Sequence, residues 1–66
     1  MKNNLKVQRA KVNMTQQDLA EALRVSRQTI HAIETGKFNP STLLALRMAR
    51  LLQTSVEEIF FLEESD

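Results

Sequence analysis

The sequence predicts a small all-α domain of five helices. Its hydrophobic residues recur at spacings of three and four, the period of an α-helix, rather than at the spacing of two expected for a half-buried strand. The chain holds one glycine and one proline, too few for a turn-rich β protein. With 66 residues, 42% of them hydrophobic, it is long enough for one ordered domain and too short for two. Residues 1–66 are therefore interpreted as a single domain.

Polar residues at the ends of the apolar segments set the helix boundaries. The five helices are predicted at residues 4–12, 16–23, 27–35, 42–52 and 56–60. A hydroxyl residue that can accept from the free N–H groups of a first turn precedes each of the last four helices: Thr15, Ser26, Ser41 and Ser55. Thr15 with Asp18, and Ser55 with Glu58, also have the spacing of a capping box.

The helix ends are marked by residues that leave α geometry. Asn13 and Gly36 can adopt the left-handed conformation that closes a helix, and Pro40 keeps Asn39 out of α geometry. The leucine and methionine stripe of the fourth helix, residues 43–52, is expected to lie in the core.

The end of the chain is unusually apolar. Four consecutive large residues occur there: Ile59, Phe60, Phe61 and Leu62. A short helix can bury only one side of such a run, so at least one phenylalanine should remain exposed and mark a contact surface. We expect these four residues to form the interface of a homodimer, which would also supply burial that so short a chain lacks.

Charge is distributed unevenly along the chain. Residues 1–56 carry all nine basic side chains and three acidic ones, whereas residues 57–66 carry five acids and no base. A basic body suggests a surface that meets an anion, with the acidic end facing away from it. A solvated surface with an acidic end that aids solubility explains the charges equally well.

Several classes of protein are excluded by what the sequence lacks. There is no cysteine and only one histidine, so disulfides and metal sites are not expected. No nucleophile–base pair or glycine-rich phosphate loop is present, which argues against an enzyme, and no cofactor is expected. The longest apolar runs have four residues, so no membrane insertion is expected. With no signal segment at the start, we expect a cytoplasmic protein.

The second and third helices have the pattern of a helix-turn-helix unit. A turn of about three residues, Arg24 to Ser26, joins them. Ala20 lies where two helices must cross closely, Val25 is an apolar plug in the turn, and Ile30 and Ile33 hold the third helix on the core. In such units the second helix enters the major groove of DNA.

The motif residues also carry a family resemblance. The segment MTQQDLAEALRVSRQTIHAIETGKFNPS resembles the Cro/CI-type (Xre-like) helix-turn-helix regulators, and LLALRMARLLQTSVEEIF is similar to the fourth and fifth helices of that family. The resemblance covers residues 14–60 and implies a five-helix, lambda-repressor-like DNA-binding domain. The subgroup it resembles is that of minimal stand-alone repressors, for which a short two-stranded β-ribbon between residues 2–5 and 60–62 is a further expectation.

The resemblance implies base contacts for Arg27, Gln28 and His31. Their spacing puts all three on one face of the third helix, opposite Ile30 and Ile33. An arginine can grip guanine O6 and N7, and a glutamine can grip adenine N6 and N7. A merely solvated helix face is the alternative.

Other positions inherit supporting roles from the resemblance. Gln16 matches a glutamine that contacts a phosphate and braces the recognition helix. The positions expected near the sugar-phosphate backbone are Thr29, Lys37 and Asn39. Arg9 and Glu34 match a structural ion pair between the first and third helices.

Three residues depart from the family pattern. Arg24 stands in the turn where glycine is frequent, and it is expected to adopt positive φ at a cost of ~1 kcal/mol or more. Gln8, with Val7 beside it, stands at a usually apolar position, so the core register of the first helix is open. Ala32 stands where a polar residue often extends the base-facing cluster, and it can touch only a thymine methyl group.

The function predicted from these observations is sequence-specific regulation of transcription, with a homodimer repressing from a palindromic operator on double-stranded DNA. One alternative is the antitoxin of a toxin–antitoxin pair, with the same DNA face and a protein partner on another surface. The other is a protein-interaction adaptor with no DNA role. A regulatory protein partner remains open because the chain has no ligand-binding domain, and the sequence does not specify the operator or the regulated genes.

Overall fold

The computed structural model describes all 66 residues and confirms the five helices. Each helix begins and ends within one residue of its predicted bounds. In chain order the elements are β1 (Lys2–Asn3), α1 (Leu5–Lys11), α2 (Gln16–Leu23), α3 (Arg27–Glu34), α4 (Thr42–Leu51), α5 (Val56–Ile59) and β2 (Phe60–Phe61).

The four predicted N-caps are confirmed. Each hydroxyl accepts a hydrogen bond from the backbone N–H three residues later. At α2 the capping box is complete, since the Asp18 carboxylate also accepts from the Thr15 N–H at 3.0 Å. The second predicted capping box, at Ser55, is only half formed. The Ser55 hydroxyl accepts from the Glu58 N–H at 3.3 Å, but the exposed Glu58 side chain accepts no hydrogen bond from the Ser55 N–H.

Left-handed residues close three of the helices or their turns. Asn13 (φ 56°) and Gly36 (φ 78°) behave as predicted, and Arg24 (φ 59°) takes the positive φ expected of it. The N–H of Arg24 bonds to the carbonyls of Ala20 and Glu21, which ends α2. Gln53 (φ 57°) is a fourth such residue that the sequence did not indicate.

The core draws on every helix and on β2. Its eleven buried hydrophobic residues are Leu5, Leu19, Ala20, Leu23, Ile30, Ile33, Met48, Ala49, Leu52, Ile59 and Phe60. The open register of α1 is settled by Gln8, which is buried while Val7 is exposed. Gln8 Nε2 donates to the Glu58 carbonyl at 3.4 Å, which gives the buried amide one partner.

The stripe on α4 is only partly in the core, so that prediction is wrong for three of its residues. Met48 and Ala49 are buried, but Leu43, Leu46 and Leu51 are exposed. The helix packs against α2 and α5, and this leaves its outer side without a neighbour.

The ends of the chain form the expected short ribbon. β1 pairs antiparallel with β2, with Lys2 opposite Phe61 and Asn3 opposite Phe60. Neighbouring strand residues point to opposite faces, so Phe60 is buried and Phe61 is exposed. Asn3 Nδ2 donates to the Ile33 carbonyl at 2.9 Å, which ties the ribbon to the end of α3.

Candidate nucleic-acid interface

The outward face of α3 is polar. Arg27, Gln28 and His31 are exposed on it, while Ile30 and Ile33 on the opposite face are fully buried. The three exposed side chains line one shallow concave surface of about 400 Å³. Its other lining residues are Gln16, Ala32 and Lys37.

The turn before α3 fixes where that helix starts. The Arg24 cap reverses the chain, and the Val25 N–H then bonds to the Ala20 carbonyl at 3.0 Å. The Ser26 hydroxyl accepts from the Thr29 N–H at 3.1 Å and lies 2.9 Å from the Thr29 hydroxyl. Thr29 is thus engaged in the cap and lies outside the concave surface.

The loop after α3 brings a lysine to the same surface. Gly36 turns the chain in the left-handed conformation, and the Lys37 N–H then bonds to the Ala32 carbonyl at 2.9 Å. Lys37 therefore sits beside the base-facing residues although it lies beyond the helix. Asn39 is exposed further along this loop and does not line the concave surface.

Arg9 and Glu34 form an ion pair that joins α1 to α3. Arg9 Nε donates to Glu34 Oε2 at 2.5 Å and its Nη2 donates to Oε1 at 3.2 Å. A third bond runs from Nη1 to the Met14 carbonyl at 2.8 Å. The two side chains are only 12% and 8% exposed, so this two-point contact is largely shielded from solvent.

Gln16 extends this pair to the concave surface. Its Nε2 lies 3.1 Å from Glu34 Oε1 and 3.3 Å from His31 Nδ1. The carboxylate can only accept, so the atom facing it must be the amide nitrogen, which can only donate. Gln16 thereby links the carboxylate of the ion pair to the imidazole of His31.

The pKa of Glu34 reflects this network. Burial of the carboxyl raises its pKa, but the hydrogen bonds from Arg9 and Gln16 and the charges of Arg9 and Lys6 outweigh burial. The pKa of Glu34 is consequently lower than that of an ordinary glutamate. The carboxylate stays ionised at neutral pH and keeps Gln16 oriented.

One contact that positions α3 was missed by sequence reasoning. The bond from Asn3 Nδ2 to the Ile33 carbonyl links residues 30 positions apart, and no spacing pattern marks it. The family resemblance implied that Gln16 braces α3, but it did not identify His31 and Glu34 as the residues that Gln16 contacts.

The apolar end of the chain is divided between the core and the surface. Ile59 and Phe60, which were expected at a dimer interface, are buried within the chain itself. Phe61 and Leu62 are 41% and 81% exposed. Only these last two are free to contact another molecule.

A search of protein-family models matches residues 5–59 to the model HTH_3, described as helix-turn-helix. The chain belongs to this helix-turn-helix family. It is 52% identical over its whole length to an uncharacterized HTH-type transcriptional regulator of Methanocaldococcus jannaschii, and the match also covers all of that protein.

Solved structures of two regulators share the fold. The restriction-modification controller protein C.AhdI of Aeromonas hydrophila matches with a TM-score of 0.75 and 27% identity, over 85% of each chain. The clp gene regulator ClgR of Corynebacterium glutamicum matches with a TM-score of 0.75 and 33% identity, over 82% of this chain and 57% of that one.

These similarities establish the general function. The protein is a transcriptional regulator with a helix-turn-helix DNA-binding domain of the lambda-repressor type. Its family is one of regulators and not of enzymes. None of its helices has the length and hydropathy of a membrane span.

Proposed function

We propose that the protein is a sequence-specific repressor that binds a palindromic operator as a homodimer. One observation carries the proposal: α3 presents Arg27, Gln28 and His31 together on an exposed surface, with His31 oriented by Gln16. Arg27 and Gln28 match the donors and acceptors of guanine and adenine edges in the major groove. His31 lies beside them on the same exposed surface.

Phosphate contacts flank this base-reading group. Lys37 supplies a cation at one edge of the concave surface, and we assign Thr29 and Asn39 to the adjoining sugar-phosphate backbone. Gln16 Nε2 already lies within hydrogen-bond distance of His31 and Glu34. Its side chain therefore acts as a brace, and its phosphate contact comes from the free N–H groups in the first turn of α2.

A homodimer gives this small domain its affinity. Two copies of α3 placed about 34 Å apart would meet successive major grooves of B-DNA, and a two-fold axis between them would match a palindrome. The exposed Phe61 and Leu62 supply the contact on each protomer. Occupancy of the operator is then enough to block transcription, which makes repression the simplest output.

Selection of bound sequences from random DNA, followed by titration of the best site, tests this proposal. We expect the logarithm of the affinity for DNA to fall linearly with the logarithm of the salt concentration, because cationic side chains of the protein displace counterions from the phosphates. Arg27→Ala and Gln28→Ala should each cost ~1–3 kcal/mol on the best site and much less on random DNA. Lys37→Ala is the matched control, and it should weaken binding to all sequences and reduce the salt slope by about one.

Two results would contradict the proposal. Absence of binding at low salt would remove the DNA-reading role of the concave surface. A uniform loss on every sequence for Arg27→Ala and Gln28→Ala would make them backbone contacts instead of base readers. Phe61→Asp tests the dimer separately: it should give a monomer in sedimentation and weaker operator binding.

A further inference from the structure

The outer side of α4 carries an apolar and basic strip, which we call the α4 strip and define as Leu43, Leu46, Arg47 and Arg50. All four residues are exposed, and together they line a shallow cavity of about 350 Å³. Neither arginine has a carboxylate within ion-pair distance in the protomer. The strip therefore combines apolar surface with two cations that have no partner.

The chain end carries the opposite combination. The acidic segment, residues 61–64, exposes Phe61 and Leu62 and continues into two glutamates. Glu64 is exposed and unpaired, and Glu63 has only the N-terminal ammonium as partner, at 3.6 Å. The segment thus offers apolar side chains next to anions, the complement of the α4 strip.

A groove runs from the α4 strip toward the end of the chain. Leu46 lines both the cavity of the α4 strip and a neighbouring groove of about 350 Å³. That groove runs between α4 and α5 and is also bordered by Phe60 of β2 and by Met1, which precedes β1. The groove therefore reaches from the α4 strip to β2, the strand in which the acidic segment begins.

We propose that the α4 strip binds the acidic segment of a second copy of this chain. This inference rests on the proposed homodimer and identifies the surface that Phe61 and Leu62 contact. Each protomer offers one strip and one segment, so a two-fold axis makes two identical contacts. Pairing two α4 strips directly would instead bring four arginines together, and like charges across an interface oppose association.

Charge reversal with mixing tests the contact. The R47E/R50E variant carries an acidic strip, and the L62K/E64K variant carries a basic segment. Each variant alone places like charges against each other and should raise the dimer dissociation constant about tenfold or more. A mixed dimer of the two variants has one wild-type contact and one contact in which the acidic strip faces the basic segment, so both contacts join opposite net charges. Sedimentation of the mixture should therefore show dimers where neither variant alone forms them.

The controls separate this inference from the proposed function. The K6E/K11E variant makes on α1 the same change in net charge as R47E/R50E, and it should leave the mass unchanged. Circular dichroism melting of each variant checks folding, and DNA binding is titrated in parallel. If both reversed variants remain dimers, the contact lies elsewhere and the proposed homodimer survives. If both dissociate and mixing restores nothing, the strip and the segment do not face each other.

Two further outcomes also decide the matter. A wild type that is monomeric without DNA and still reads a specific site would overturn this inference and leave base recognition intact. Loss of DNA affinity by R47E/R50E with no change in mass would assign the arginines to phosphates and would overturn the proposed contact.

Discussion

Helices α3 and α4 bury the same kind of side chain and expose opposite kinds. Each packs one side on the core, through Ile30 and Ile33 in α3 and through Met48 in α4. The outer face of α3 is polar, and its histidine contacts the side chain of Gln16 on α2. The outer face of α4 exposes Leu43 and Leu46, with no element of the protomer to cover them.

This difference separates two kinds of recognition. A polar face suits base edges, since direct readout depends on hydrogen bonds to the donors and acceptors of the bases. An apolar face with unpaired cations suits a protein surface, since large exposed apolar patches usually mark contacts. Substitutions on each helix test whether DNA binding by α3 and self-association by α4 are independent.

The largest expected effect on the free energy of unfolding comes from the ion pair between Arg9 and Glu34, which joins α1 to α3. Arg9→Ala leaves the Glu34 carboxylate largely buried without its cation, and loss of one partner of a buried pair typically costs ~3–5 kcal/mol in free energy of unfolding. Denaturant titration of both single variants and the double variant measures their coupling. The double variant should cost less than the sum of the singles, and additive values would show that the pair does not act as a unit.

The pH dependence of stability gives an independent view of the same pair. The pKa of Glu34 is lowered in the folded state, so the unfolded chain takes up this proton first as the pH falls. The stabilisation is complete above the ordinary glutamate pKa and is lost as the pH falls through the lowered value. Glu34→Gln should therefore flatten the acid limb of the stability curve, while Glu64→Gln, at an exposed and unpaired position, should leave it unchanged.

Two substitutions on α4 distinguish its inner and outer sides. Met48→Ala empties a fully buried position and should cost ~2–5 kcal/mol, a large share of the ~3–5 kcal/mol that a core of this size supplies. Leu46→Ala removes an exposed side chain and should change monomer stability by less than ~0.5 kcal/mol while weakening self-association. Thermal melts of dilute protein and sedimentation at higher concentration separate the two effects, and equal losses of stability would place Leu46 in the core.

The sequence predicted α3 more completely than α4, for a physical reason. In α3 the polar and apolar residues alternate with the helical period, so Ile30 and His31 can be assigned to opposite faces by spacing alone. In α4 the leucines extend around the helix, and Leu43 satisfies the same spacing rule as Met48. Periodicity reports which residues are apolar, and it does not report whether the neighbour that covers them belongs to the same chain.

The hydroxyl N-caps were reliable signals because each cap is a local bond. Ser41 and Ser26 capped the helices they preceded because the bond spans three residues. The inward position of Gln8 could not be predicted, because its partner is the carbonyl of Glu58, 50 residues away. The bracing role of Gln16 was implied by the family resemblance, but its contact with His31 depends on how α2 crosses α3.

The smallest expected effect comes from the turns beside the two helices. Arg24, before α3, and Gln53, after α4, both hold left-handed backbone at nearly the same φ. Replacing either with glycine relieves the steric penalty of that conformation and also adds freedom to the unfolded chain. The net gain should be at most about 1 kcal/mol for Arg24→Gly and for Gln53→Gly alike, as read from their unfolding midpoints.

The DNA affinity of the same two variants distinguishes the α3 face from the α4 face. Arg24 is exposed in the turn that leads into α3, where its cation can reach a phosphate. Arg24→Gly should then lower affinity on every sequence and reduce the salt slope by about one. Gln53→Gly removes no charge and lies in the turn after α4, so its salt slope should equal that of the wild type. Equal slopes for both variants would mean that Arg24 serves only to close α2, and that the phosphate contacts of this face begin at α3 itself.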